Sequence, residues 1–437
     1  MEKKRLIFKL LAFVACMLCS LSAVAVEAYA CYTSTNTTLM FYYDNYRSSR
    51  KGTTYDLNTG SNSPGWYSDG TCNSVTQVVF DSSFANARPT TTCKWFMNMR
   101  NLMSFSGMQY LNTSQVADMS CMFYYCQNVT SLDLSRFNTQ NVTDMNSMFY
   151  CCLSLTNIDV SHFNTSNVMN ISNMFGGCSG LTSLDVSNFD TANVKYMAVT
   201  FERCSGLTSL DVSHFNTSNV QYMNGVFWGC TGLTSLDVSH FNTQNVISMG
   251  SMFAYCSSLT SLDVSNFNTA NMNELNSMFA YCSGLTSLDL SNFNTANVTD
   301  MSYMFSYADK LTTVYVGNGW TTTPVTSSSN MFLNCTSIVG GQGTTYNSSN
   351  LRDKTYAHID GGPSNPGYFS EKPAGMPGDV NGNGSVNMDD LTVLINYLLT
   401  DDATGINMAN AANCDGNDGI GMDDLTALIN YLLTDQW

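Results

Sequence analysis

The sequence predicts a repeat solenoid of parallel strands with a 26-residue period, preceded by a β-rich cap and followed by a small all-α module. Three observations predict it. Phe123, Phe149, Phe175, Phe201, Phe227, Phe253, Phe279 and Phe305 recur every 26 residues, with Phe96 and Phe332 one residue off the period at the two ends. Inside each unit, apolar residues alternate with polar ones. From residue 378 the composition changes, and a second, 34-residue spacing takes over. Only 11% of the 437 residues are charged and the net charge is -16, whereas an ordinary soluble domain carries about 25% charged residues. Asn, Ser and Thr take the place of charge, and 44% hydrophobic residues separate the chain from acidic disordered tails. A pI near 4.4 excludes nucleic acid as a partner, because phosphate binding needs Lys/Arg clusters.

Residues 1–25 read as an export signal. Met1-Glu2-Lys3-Lys4-Arg5 is basic, and the apolar run from Leu10 to Val24 is too short for a mature span. Cleavage is expected after Ala25, with Ala28-Tyr29-Ala30 a second small-x-small match and Cys16 a lipid-attachment alternative. No later segment is long and apolar enough to cross a membrane, so the mature chain is expected to be secreted or on the cell surface. Residues 31–90 break the period; 38–43 and 75–80 read as strands between Gly/Ser/Asn-rich turns. They are expected to cap the solenoid end, which otherwise exposes its core and unpaired backbone.

The solenoid is assigned to residues 91–338. In the unit that runs from Cys204 to Phe227, Leu207-Thr-Ser-Leu210-Asp-Val212 predicts a strand with Leu210 and Val212 inward and Asp211 outward. Phe215, Val220, Met223, Phe227 and Cys230 are the inward points of the return path. A period of 20–29 residues with Leu-x-x-Leu-x-Leu/Val is a leucine-rich-repeat signature, and no unit buries its apolar side chains alone. Residues 339–370, glycine-rich with two prolines, are the expected opposite cap, and 371–377 a Pro-bearing linker.

With its flanks, the unit Met-Phe-x-x-Cys-Ser-x-Leu-Thr-Ser-Leu-Asp-Val-Ser-x-Phe-Asn-Thr-x-Asn-Val resembles the BspA-type leucine-rich repeats of bacterial surface proteins. The flanking segments include Phe41-Tyr-Tyr-Asp44 and Tyr356-Ala-His-Ile-Asp-Gly-Gly-Pro363. The resemblance covers about residues 31–370. It implies a surface or secreted protein that adheres to a host or bacterial surface protein or a glycan; it carries over no binding residue.

In the all-α module, residues 378–437, Asp379, Asn381, Asn383, Gly384, Ser385, Asn387 and Asp390 fall at positions 1, 3, 5, 6, 7, 9 and 12 of a calcium loop, with Asp where an EF-hand has Glu. An apolar stripe follows at Leu391, Leu394, Ile395 and Leu398. The segment returns 34 residues later with Asn413, Asp415, Asn417, the Gly419 carbonyl and Asp424, then Leu425, Leu428, Ile429 and Leu432. Two loop–helix units in about 60 residues resemble a type I dockerin. That resemblance implies Ca2+ and a cohesin-type partner. The second loop departs from the pattern at Asn413 and Asp418, which weakens it as a calcium loop. Met388-Asp389 and Met422-Asp423 occupy positions 10 and 11, where the family recognises its cohesin.

Several columns have structural and functional readings. Cys126 to Cys282 in steps of 26, then Ala308, point to a buried filler rather than to disulfides, since equivalent stacked positions cannot all pair. The Asn column from Asn141 to Asn297 is expected to bond along the stack. The Asp column from Asp133 to Asp289 repels itself and is expected to find Ser/Thr donors, a cation or basic ligand being the alternative. Trp228, Tyr255, Tyr281 and Tyr307 are candidates for ligand contact, or for partial burial against the next unit. His162, His214 and His240 read as surface filler. No nucleophile motif, HExxH or phosphate loop occurs, so the expected role is non-catalytic: an adhesion protein tethered by its tail or, alternatively, a targeting component of a polysaccharide-degrading, cellulosome-like complex.

Overall fold

The computed structural model describes residues 25–372, 378–381, 386–400, 406, 414 and 420–434. The chain divides into two compact units, Met1–Ser370 and Glu371–Trp437. The expected signal (residues 1–24), its Cys16 alternative and linker residues 373–377 lie outside the described residues.

The first unit opens with β1 (Glu27–Thr33), β2 (Thr38–Asp44), β3 (Thr53–Asp56), β4 (Gln77–Phe80) and β5 (Ser104–Ser106). They form one sheet in the order β3-β1-β2-β4-β5. β1 is antiparallel to both β2 and β3, while β2–β4 and β4–β5 are parallel. The first strand thus begins four residues upstream of the expected start at 31. Its Tyr29 and Ala30 are wholly buried, and the Tyr29 hydroxyl donates to Asp44 at 2.7 Å. Phe41, Phe80 and Trp95 stack on one another, with Phe41 4.6 Å from Phe80 and 5.1 Å from Trp95. This aromatic cluster meets Phe96, which lies 5.4 Å from Phe123. From there the repeat phenylalanines run as a nearly coplanar pile, for example Phe149–Phe175 at 5.6 Å and Phe175–Phe201 at 6.0 Å. All of them belong to one continuous buried core.

Backbone pairing between units does not follow the expected strands. Of the Leu-x-x-Leu-x-Leu/Val segments, β6 (Ser287–Leu290) and β7 (Thr313–Val316) pair in parallel, but residues 207–213 form no strand. The inter-unit ladder runs instead through the other arm, around the phenylalanine. Met145, Ser147, Phe149 and Cys151 donate their N–H groups to Asn170, Ser172, Met174 and Gly176 at 2.7–3.0 Å. Parallel bridges continue it through Asp118↔Asp144, Asp144↔Asn170 and onward to Asp300↔Ser327. Every second N–H points to the next unit because residues two before and two after the phenylalanine adopt left-handed backbone: Ser147 has φ 55° and Cys151 φ 57°, and Tyr255, Tyr281 and Tyr307 have φ 58–62°. Side-chain alternation therefore reports which residues face inward, as Leu210 and Val212 do, but not which backbone pairs.

Polar columns close the remaining inter-unit bonds. The Asn141 amide donates to the Ser114 carbonyl at 2.8 Å, and Asn167, Asn193, Asn219, Asn245, Asn271 and Asn297 repeat the contact. A buried threonine column, which the sequence reading passed over, does the same work inside. Thr243 Oγ1 donates to the Asn268 carbonyl at 3.0 Å and accepts from the Asn268 N–H at 2.7 Å. The histidines are not mere filler: Nε2 of His162, His214 and His240 lies 2.8–2.9 Å from a carbonyl of the preceding unit. From the same position Asn266 and Asn292 donate to the carbonyl one residue further on in the preceding unit, Ser239 and Ser265.

Past the repeat, Asp360 organises residues 339–370. Its buried carboxylate accepts from the Gln342, Thr344, Gly362 and Gly367 N–H groups and the Thr344 hydroxyl. The second unit holds two 13-residue helices, α1 (Met388–Thr400) and α2 (Met422–Thr434). Val380, Leu394, Cys414 and Leu428 form its buried core. Leu391, Leu398, Leu425 and Leu432 pack against them as expected, but Ile429 is 38% exposed. Val393 and Ala427 take part instead, because so small a core uses a narrower stripe of each helix.

Candidate functional site

The tail builds the same polar arrangement twice. Asp390, in the first turn of α1, is wholly buried. It accepts from the Asn381 N–H at 2.9 Å and the Asn387 N–H at 2.8 Å, so one carboxylate ties both arms of the loop to the helix start. The Asn387 side chain caps α1 by accepting from the Asp389 N–H at 2.7 Å. At the equivalent place on α2, Asp424 accepts from the Cys414 N–H at 2.8 Å and the Gly421 N–H at 2.7 Å. Asp379 is buried two residues before Asn381. Among the described residues, then, the first loop brings Asn381, Asn387 and Asp390 into one short circuit, with the buried Asp379 close by in sequence. Hard oxygen donors with two buried carboxylates suit calcium, since buried charges are paired or coordinate a metal. Asn383 and Ser385 of the first loop, and Asn413, Asp415, Asn417 and Gly419 of the second, lie outside the described residues. Among the described residues no group of three or more His, Cys, Asp or Glu side chains gathers as a metal site.

The residues expected to meet a partner are on the surface. Met388 is 64% and Met422 65% exposed, and Asp389 and Asp423 are exposed beside them. Leu399 and Leu433, again 34 residues apart, are both exposed. Sequence reading missed them because they continue an apolar run that looks like core.

In the first unit the candidate aromatics come together on one arm. Tyr281 stacks between Tyr255 at 4.1 Å and Tyr307 at 4.4 Å, both pairs within 8° of parallel. Trp228 meets Tyr255 edge-on at 5.8 Å, while the Arg203 guanidinium lies 4.3 Å from the Trp228 ring. These rings pack on one another from unit to unit, and they also line a groove.

The cysteine and aspartate columns are structural. Each thiol from Cys152 to Cys282 is buried and donates to the carbonyl of a phenylalanine 29 residues earlier, Cys204 to Phe175 at 3.2 Å. Burial pushes Cys178, Cys230 and Cys282 up to about 12, so the reactive thiolate is suppressed. Along the aspartate column, Asp133 and Asp159 accept from the hydroxyl and N–H of Ser135 and Ser161. Those bonds hold both carboxyls below their ordinary range, which meets the repulsion locally.

Comparison with known proteins places both units. Residues 90–185, 154–260 and 233–346 match the family described as "Mycoplasma protein of unknown function, DUF285", together more than half of the chain. Residues 377–433 match the dockerin type I domain. No curated protein matches the chain. Among solved structures, a leucine-rich repeat protein from Eubacterium ventriosum is 17% identical, with a TM-score of 0.35 over 75% of this chain and 96% of that one. The functional domain of InlJ from Listeria monocytogenes, described as including a cysteine ladder, is also 17% identical, with a TM-score of 0.16 over 62% and 56%. On the family matches, the chain belongs to the DUF285 family of BspA-like leucine-rich repeats and carries a dockerin type I domain behind them.

Proposed function

We propose that this is a non-catalytic, exported surface protein whose repeat solenoid binds a protein or glycan and whose tail tethers it, in the presence of calcium, to a cohesin-type module. The observation that carries the reading is the duplicated loop–helix geometry. At the same helix position, Asp390 and Asp424 each accept from the N–H three residues earlier, Asn387 and Gly421, and from one N–H near the loop start, Asn381 and Cys414, and each stands next to an exposed Met-Asp pair. In the first loop Asp379, Asn381, Asn383, Ser385, Asn387 and Asp390 would hold the ion; in the second, Asn413, Asp415, Asn417, Gly419 and Asp424. Bound calcium neutralises the carboxylates and fixes the loop ends, and Met388, Asp389, Met422 and Asp423 face the partner. Export with cleavage after Ala25 is supported by β1, which such a cut leaves whole. A cut after Ala30 would remove the buried Tyr29 and its bond to Asp44. Residues 27–90 and 339–370 act as the two caps.

The dockerin type I match also supports the second reading, a targeting subunit of a polysaccharide-degrading complex. The test is a calcium-dependent pull-down of bacterial culture proteins with the full mature chain and with a chain ending at residue 370. Recovery of a cohesin-bearing scaffold by the full chain alone supports tethering, and glycosidases recovered with it favour the complex. Equal recovery by both chains, or recovery in excess chelator, contradicts the tethering role.

A further inference from the structure

The repeat has one arm whose polar groups are consumed by the fold and one arm whose surface is not. On the Leu-x-x-Leu-x-Leu/Val arm the same residues return in unit after unit, and their Asp, Asn, Thr and His groups are bonded to the neighbouring backbone. On the phenylalanine arm the residues change from unit to unit, and some of them, Arg203 and Tyr255 among them, are exposed. Two after the phenylalanine stand Tyr125, Cys151, Gly177, Arg203, Gly229 and Tyr255 in successive units. Variation at surface positions that the stack does not need is where a repeat protein has room for recognition.

Two adjoining depressions occupy this arm. The first, about 420 Å³, is lined by Glu202, Asn224, Trp228, Glu274 and Asn276 around Gly225 and Gly250. At Gly225 an added Cβ would lie 2.9 Å from Val199 Cγ1, so the missing side chain leaves space beside Val199. At Gly250 the Asn276 amide oxygen lies 2.5 Å from where a Cβ would stand, so the missing side chain lets that amide lean in. The Glu202 side chain is only 12% exposed, and burial raises its carboxyl above the ordinary range. The Ser248 hydroxyl donates to Glu274 at 3.2 Å. The second depression, about 560 Å³, is lined by Tyr255, Tyr281, Tyr307, Asp309 and Asn334, with Thr231, Ser257, Ser283 and Thr336 between them. Trp228 lines the first and meets Tyr255 of the second edge-on, so the two depressions adjoin at that contact and make a two-part cleft across successive units.

We propose that this cleft binds an extended, uncharged polysaccharide chain laid along the repeat. The proposal rests on the reading of the repeat as the ligand-binding part, and it names the ligand class. The three tyrosines use their faces on each other, leaving ring edges and hydroxyls for the ligand, once per unit. Around them stand hydroxyls, amides and carboxylate acceptors, groups that bond sugar hydroxyls at regular intervals. Val199 is the single aliphatic lining residue, and the other large apolar surfaces are the rings of Trp228, Tyr255, Tyr281 and Tyr307. The charged lining residues, Glu202, Glu274 and Asp309, are acidic, with Arg203 beside Glu202 and over the Trp228 ring, and the net charge of -16 repels anionic polysaccharides.

Affinity electrophoresis of the full mature chain tests the proposal. The native gels contain mixed-linkage β-glucan, xyloglucan, arabinoxylan, galactomannan or soluble starch, with polygalacturonate as the anionic arm; poly-L-lysine binding is measured separately. Trp228→Ala and Tyr281→Asn are the variants, since Ala254 and Ala280, and Asn98 and Asn334, already occupy those positions in other units. Retardation by at least one neutral polysaccharide, weakened tenfold or more in both variants at unchanged melting temperature, is expected. No retardation by any of the five, retardation by polygalacturonate alone, binding to poly-L-lysine alone, or retardation unchanged in both variants overturns it. Failure here with cohesin recovery intact removes the glycan site and leaves the tethering reading standing.

Discussion

In the repeat, the buried hydroxyl of Thr243 is bonded to both backbone groups of Asn268 in the next unit. In the tail, the buried carboxylates of Asp390 and Asp424 fold the loops onto a core in which Val380, Leu394, Cys414 and Leu428 are the fully buried side chains. The first arrangement is closed: each unit supplies the partner its neighbour lacks, and stability accumulates as nearest-neighbour interfaces. The second concentrates negative charge in a unit too small to bury much apolar surface. The contrast teaches that a stack of units can satisfy its buried polar groups internally, whereas the tail, on the calcium reading proposed above, needs an ion to complete it, which would make metal binding and folding of the tail one event.

The comparison is broken most severely by removing a loop carboxylate. Asp390→Ala releases the Asn381 and Asn387 N–H groups and a calcium ligand together. We expect loss of α1 and of the packing of α2, read as loss of helical circular dichroism, with the repeat intact.

A smaller but regional effect is expected in acid at the other end of the first unit. Burial pushes the Asp360 carboxyl up, but bonds from the Thr344 N–H and hydroxyl and from the Gly362 and Gly367 N–H groups outweigh it and bring it down to about 2. A carboxyl depressed in the folded state contributes stability that is present above its unfolded value, about 4, and lost as pH falls through the folded value. Residues 339–370 should therefore open between pH 4 and pH 2, seen as faster amide exchange there. Asp360→Asn should show that faster exchange already at pH 7; unchanged exchange in the variant contradicts the assignment.

Thr243→Val keeps shape but orphans the Asn268 N–H and carbonyl, at a cost of about 2 kcal/mol, measurable as a lowered denaturation midpoint. Smallest is Cys204→Ala. Filler thiols predict a loss of about 1 kcal/mol, and thiol titration of the unfolded, unreduced protein should find the column reduced. Quantitative disulfides there would contradict a closed, inert stack.

How far the sequence could be read follows from the same contrast. Phe149 and Phe175 declare a stack because identical side chains at one spacing must meet identical surroundings. The dockerin type I domain is legible because oxygen donors at Asp379, Asn381 and Asn387 have few other reasons for that spacing. The pairing arm was not legible: left-handed backbone at Ser147, Cys151 and Tyr281 is adopted by residues that ordinarily avoid it, held there by the bonds between units. Nor was the Thr243 column, whose role appears only once Asn268 of the next unit is beside it. Ile429 was misassigned to the core because an apolar stripe does not reveal how little partner surface a two-helix unit offers. The groove at Trp228 and Tyr255 depends on which units adjoin, and on what Gly225 and Gly250 leave out.

The split in metal dependence between the two units is tested by scanning calorimetry of the full mature chain in about 2 mM calcium, a clear excess, and then in excess chelator. Two transitions are expected in calcium, of which the tail's vanishes on chelation while the repeat's keeps its midpoint. Superimposable thermograms in the two conditions, or a repeat transition that shifts with the metal, would contradict it.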